Sequence, residues 1–133
     1  MANEAVLKQK LEEPMDFTVA DDTGIELGTI CALTDPRTAI AASSTGQVLS
    51  GISAREKIAS DGRTRLAMFR KGIFDLNASG AIPVGAPVVA IANNEILAAT
   101  AAHSGAAVLG YALETATDNE TIEVLVDIGV GAN

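Results

Sequence analysis

Apolar residues in this chain fall in short runs rather than at helical spacing. Runs rich in Val, Ile, Leu and Thr, bounded by Gly, Pro, Asn and Asp, recur about every ten residues, the schedule of an all-β barrel or sandwich. The pattern predicts strands over Phe17 to Val19, Thr29 to Leu33, Thr38 to Ala42, Val48 to Ala54, Arg63 to Phe74, Pro87 to Ala92, Glu95 to Ala99, Val108 to Leu113 and Thr121 to Ile128. The clearest local signal is "VVAIANNEILAA", where Asn93 and Asn94 suit the positive φ of a two-residue turn between paired strands.

The schedule runs twice. "GIELGTICAL" (Gly24 to Leu33) and "AIPVGAPVVA" (Ala81 to Ala90) align Ile25, Leu27 and Gly28 with Ile82, Val84 and Gly85, 57 residues on. Each half continues with a strand, a turn, a return strand and a small-residue loop, then a Val-Leu pair with a glycine ("VLSGI", "VLGYA"). An Asp-led turn and a Thr-started strand follow, Asp61 and Asp118 being again 57 apart. The reading is a compact all-β domain, a β-barrel or β-clip-like unit with pseudo-twofold repeated halves, over residues 17–133. Residues 1–16 stand outside the schedule. "AVLKQKLEEPMD" mixes charges with Val6, Leu7 and Leu11 and stops at Pro14; it suits a short amphipathic helix, an extended arm or a closing edge strand, and is expected to be a flexible N-terminal arm until it meets a partner.

Composition narrows the function classes. A chain of 133 residues makes one domain and buries roughly 65 to 70% of its unfolded surface. With three Phe, one Tyr and no Trp, its core must be built from Val, Ile, Leu and Ala. Seventeen acidic against nine basic residues give a net charge of −8, which repels a phosphate backbone, so nucleic acid is not an expected partner. Cys31 is the single cysteine and sits in an apolar run, the place of a small buried hydrophobe, and the chain suits a reducing cytoplasm. The N-terminus has no apolar signal core, and the most apolar stretch, Ile82 to Ala92, is too short to span a bilayer, so neither export nor a membrane is expected.

Chemistry is sparse. "GIELGTIC" has neither the lysine and hydroxyl of a P-loop nor the third glycine of a dinucleotide fingerprint, so Gly28 and Gly85 are assigned to turns. One histidine, His103, and one cysteine make no zinc site or Cys/His pair. Asp21, Asp22, Asp61, Asp118 and Glu120 stand among Gly, Asn and Thr, where carboxylates close turns. No catalytic residue, metal or cofactor is therefore expected. "LAMFRKG" faintly resembles the lysine tip of biotin carriers, but Phe69 stands where the lysine belongs and Lys71 is displaced; a small ligand-binding or carrier barrel is kept as the alternative. Arg55 to Thr64 is the most charged part of the body, a solvated loop or a helical turn from which Glu56, Lys57 and Asp61 are candidates for an interface network.

Taken together, Gly51-Ile52, Glu56-Lys57, Asp61-Gly62, Gly72, Ile82-x-x-Gly85 and Gly110 with Ala112, Leu113 and Glu114 give the chain, over nearly its whole length, a pattern that resembles the capsid cement or head decoration proteins of tailed phages. The resemblance implies a non-enzymatic virion protein, a homotrimer made in the host cytoplasm that docks on the outer surface of an assembled head. There it would stabilise the shell by bridging major capsid subunits. It also implies that the arm, Ala2 to Pro14, reaches the shell. Ordering an arm costs roughly 1 to 2 kcal/mol per residue in backbone entropy, which makes Val6, Leu7 and Leu11 the expected anchors. Several such contacts in one oligomer gain about 10² to 10⁴ in avidity.

Overall fold

The computed structural model describes residues 3–100, 103 and 105–128. Among these lie eleven strands: β1 (Val6–Lys10), β2 (Met15–Thr18), β3 (Ile30–Thr34), β4 (Thr38–Ala41), β5 (Leu49–Ser53), β6 (Arg65–Phe69), β7 (Lys71–Ala78), β8 (Pro87–Ala90), β9 (Glu95–Ala98), β10 (Val108–Ala112) and β11 (Thr121–Asp127). The protein is all-β with repeated halves, and each half closes its own five-stranded barrel. Barrel 1 runs β2-β4-β3-β5-β6; barrel 2 repeats the order as β7-β9-β8-β10-β11. Parallel pairing closes each one, Thr18 with Thr38 in the first and Asn77 with Glu95 in the second.

Backbone contacts fix the correspondence of the halves. Ile25 bridges Lys57 as Ile82 bridges Ala116, and the Gly28 N–H donates to Ser53 as the Gly85 N–H donates to Ala112. Gly28 and Gly85 have φ of 81° and 84°, so both are turn glycines. Past the second hairpin strand the offset is no longer 57. Asp61 accepts from the Ile58 N–H (3.3 Å) and Glu120 from the Thr117 N–H (3.0 Å), so Glu120, and not Asp118, is the counterpart of Asp61.

Alternation explains the barrel interiors. Phe17, Val19, Ile25, Cys31, Ala39, Leu66 and Met68 fill barrel 1; Phe74, Leu76, Ile82, Val88, Ile96, Val124 and Val126 hold the corresponding places in barrel 2. Burial pushes the Cys31 thiol up to about 12, which leaves it a hydrophobe rather than a nucleophile. Alternation fails in β5, which is buried at every residue. Its outward side chains Leu49 and Ile52, with Ile30 and Ala42, join the core of barrel 2. Each such large aliphatic side chain contributes about 1.5 to 3 kcal/mol through burial, and together they make the two barrels one unit.

Two predicted elements take a different form. Arg63 to Phe74 is two strands: β6 belongs to barrel 1 and β7 to barrel 2, with Arg70 between them. The hairpin β8–β9 pairs Val88 with Ala98 and Ala90 with Ile96, but its loop is a three-residue 3-10 turn, 92–94, with Asn93 and Asn94 at φ of 64° and 63°. Asn94 is buried and joins the barrels. Its Oδ1 accepts from the Ile30 N–H (2.7 Å), and its Nδ2 donates to the carbonyls of Gly28 (2.9 Å) and Asn3 (2.8 Å). Asn94→Ala strips partners from buried backbone groups in barrel 1, and an expected loss of about 2 to 4 kcal/mol is measurable by urea unfolding.

Of the three forms open to the N-terminal segment, residues 6–10 take the edge strand. β1 lies antiparallel on β7, Val6 opposite Asp75 and Lys10 opposite Gly72. The Ala5 N–H donates to Gly28 (2.9 Å), so the segment straps barrel 1 to barrel 2.

Candidate functional site

Three places gather candidate side chains. The first is the charged loop. Lys57 has no exposed side-chain surface, and its Nζ donates to Asp61 Oδ1 (2.7 Å), the Ile58 carbonyl (2.7 Å), the Asp21 carbonyl (2.9 Å) and Asp21 Oδ1 (3.0 Å). Burial alone would lower the lysine's pKa, but the hydrogen bonds and charges of Asp61 and Asp21 outweigh it and raise it. The Lys57 hydrogen bond, with the Arg63 N–H (2.9 Å) next, holds Asp61 down from 3.8 to about 2. The structure thus brings Lys57 and Asp61 together with Asp21 in an internal network, and leaves Glu56 exposed outside it. Sequence pattern hides this arrangement because a lysine in a charged run reads as solvated.

The second place is the cleft along β1. Val6 and Leu7 line a cavity of about 420 Å³ with Leu27, Phe69 and Phe74. Val6 is 54% exposed, Leu7 40% and Leu11 43%; Leu11 follows the end of β1 and lies outside the cleft. All five residues of β1 are exposed. Val6 and Leu7 are the apolar side chains of this edge strand, whose other three residues are Lys8, Gln9 and Lys10.

The third is a groove of about 670 Å³ at the hairpin end of barrel 1, lined by Met15, Phe17, Leu33, Val48, Arg37 and Arg70 among others. Arg37 sits 5.7 Å from the centre of the Phe17 ring and donates from Nε to the Asp16 carbonyl (3.1 Å). The sequence carries no signal for this groove, whose walls come from β2, β3, the β3–β4 turn, Val48 just before β5 and Arg70 between β6 and β7.

The remaining candidates are spent locally. Asp22 accepts from Thr23 (3.0 Å), Asp118 from the Gly80 N–H (2.8 Å), and His103 Nδ1 from the Thr100 N–H (3.0 Å). Lys71 opens β7 opposite Asp127 and is not at a hairpin tip. Among the described residues no three His, Cys, Asp or Glu side chains are placed to hold a metal ion.

Two closed five-stranded barrels of one repeated design place the chain in the all-β class. The family model described as phage cement protein matches residues 9–128, and the chain belongs to that family, a family of phage structural proteins. No curated protein matches it. Among solved structures it is similar to the N base of head fiber gp8.5 of bacteriophage phi29, at 14% identity and a TM-score of 0.56, over 86% of this chain and 94% of that one. At that identity the likeness speaks to the fold alone.

Proposed function

We propose that this protein is a capsid cement protein that sits on the outer surface of the assembled phage head as a homotrimer and bridges neighbouring major capsid subunits. The observation that carries the reading is the family match across nearly the whole chain, joined to the exposed apolar side chains of Val6 and Leu7 on an edge strand and of Leu11 just beyond it. Val6, Leu7 and Leu11 are the proposed anchors. Because β1 is already paired with β7, most of the ordering cost is met before docking, and the anchors' burial goes into binding. A trimer that engages several subunits gains its strength by effective concentration rather than from one tight contact.

Point substitution is the cleaner test, since removing residues 2–14 would also take away the strap between the barrels. Leu11→Asp lies beyond β1 and should leave melting unchanged while weakening attachment to expanded heads at least about tenfold, read by co-sedimentation with purified shells. If Leu11→Asp and Val6→Asp both decorate shells like the unaltered protein, the anchor assignment fails.

A further inference from the structure

The barrels meet through unlike surfaces. Barrel 1 offers a face around Gly28, Ile30 and Ile52; barrel 2 receives it at the end of the β8–β9 hairpin, where Asn94 bonds Gly28 and Ile30. Since the halves repeat, the chain carries a second copy of each surface. On barrel 2 the counterparts of Gly28, Ile30 and Ile52 are Gly85, Pro87 and Tyr111; Gly85 and Pro87 are exposed and Tyr111 is half-buried. A Cβ built on Gly28 would meet the Ala5 carbonyl oxygen at 2.5 Å, whereas one on Gly85 would meet nothing within 4 Å. On barrel 1 the hairpin position matching buried Asn94 is Arg37, exposed and likewise at positive φ (46°). Val48 and Met15 are exposed where their counterparts Ala107 and Gly72 are buried.

We infer that these two surfaces are the matching sides of a head-to-tail junction between copies: the Gly85–Pro87 face of one chain seats in the Arg37 groove of the next. The contact that joins the barrels within a chain then continues from chain to chain. Donor and acceptor inventories support the pairing. Within the chain Asn94 supplies an acceptor for the Ile30 N–H and a donor for the Gly28 carbonyl. At the free surfaces Pro87 has no N–H to satisfy, and Arg37 carries donors without an acceptor. The counterpart of the Gly28 carbonyl, that of Gly85, is what an Arg37 donor would meet. The rims are apolar on both sides, Val84 being 61% and Val48 40% exposed. A heterologous contact of this kind builds a closed ring when its rotation closes, and a trimer would be a ring in which first and second barrels alternate. The junction deepens the homotrimer proposed above.

Sedimentation equilibrium of the full chain without shells tests it. The unaltered protein should associate at high micromolar concentration. Val48→Asp removes the groove and Val84→Asp the face, both at exposed side chains; each variant alone should associate at least about tenfold more weakly, with unchanged melting. An equimolar mixture should form dimers and nothing larger, because one intact face and one intact groove remain. If Val48→Asp melts lower, Arg37→Ala replaces it as the groove variant. An unaltered protein that stays monomeric, a variant that keeps the native mass, or a mixture that stays monomeric overturns the junction. None of these results bears on shell attachment, which the Leu11→Asp experiment tests separately.

Discussion

Replacing Lys57 with Met is expected to lower the melting temperature by on the order of 10 °C or more. Methionine matches the volume and deletes the charge. The Asp21 and Ile58 carbonyls and the Asp61 carboxylate then lose their shared donor, and the partly buried Asp61 keeps only the exposed Arg63, at 3.9 Å, as a cation. Asp21→Asn should cost less, since that carboxylate is 43% exposed and water can replace part of what it loses. The same network sets a pH window. Asp61 is held from 3.8 to about 2 in the folded chain, so its contribution is present above about pH 4 and is lost as pH falls toward 2. Lys57 is raised from 10.5, so its contribution is present below that value and is lost as pH rises past it. Melting temperature should therefore stay level from about pH 4 to about pH 9, above which the unfolded chain releases the Cys31 proton that burial retains in the folded one and stability begins to fall. Asp61→Asn should lower the plateau and flatten the acid limb; an acid limb of unchanged steepness in that variant would assign acid sensitivity to other carboxylates.

Gly110→Ala is expected to be the most damaging single methyl in the molecule. A Cβ there would overlap the Leu125 carbonyl oxygen, with Leu125 C at 2.8 Å and Val126 Cα at 3.0 Å. These are backbone atoms of β11, which pairs with β7 along its whole length, so relief requires moving a central strand. A cost above about 3 kcal/mol should appear as aggregation on expression or a large fall in the urea midpoint. Gly62→Ala is the control. Gly62 has φ of 86° but nothing within 4 Å of a Cβ, so only the left-handed backbone penalty of about 1 to 2 kcal/mol applies. If the two variants lose equal stability, crowding at Gly110 is not what demands glycine there.

The strand schedule was legible because short alternating runs between Gly, Pro and Asn have few other solutions. The doubled pattern was legible from Gly28 and Gly85, which take the same φ in the same turn. The split at Arg70 was not: buried positions continue on even numbers from Leu66 and Met68 through Gly72, Phe74, Leu76 and Ala78. No change of phase marks where one barrel hands over to the next. The candidate anchors Val6, Leu7 and Leu11 were visible as apolar residues in a charged segment, but whether such a segment pairs depends on an open strand edge elsewhere, here β7. That Lys57 is buried, and that the turn residue Asn94 also bridges the barrels, went unread for one reason. Polar residues are read as exposed, and only the acceptors and donors brought around them from distant segments reveal that burial is satisfied.

By itself, then, the sequence determined the all-β class, the two repeated halves, the aliphatic core and the turn glycines, because each depends on neighbours a few residues away. The tertiary structure alone decided that each half closes its own barrel, that Lys57 joins Asp21 to Asp61, and that Asn94 joins the barrels. It also decided that one face and one groove of the repeated contact are left open. Those features depend on which distant edges and faces meet, and burial and hydrogen-bond satisfaction at such a meeting are properties of the packed chain that no local pattern encodes.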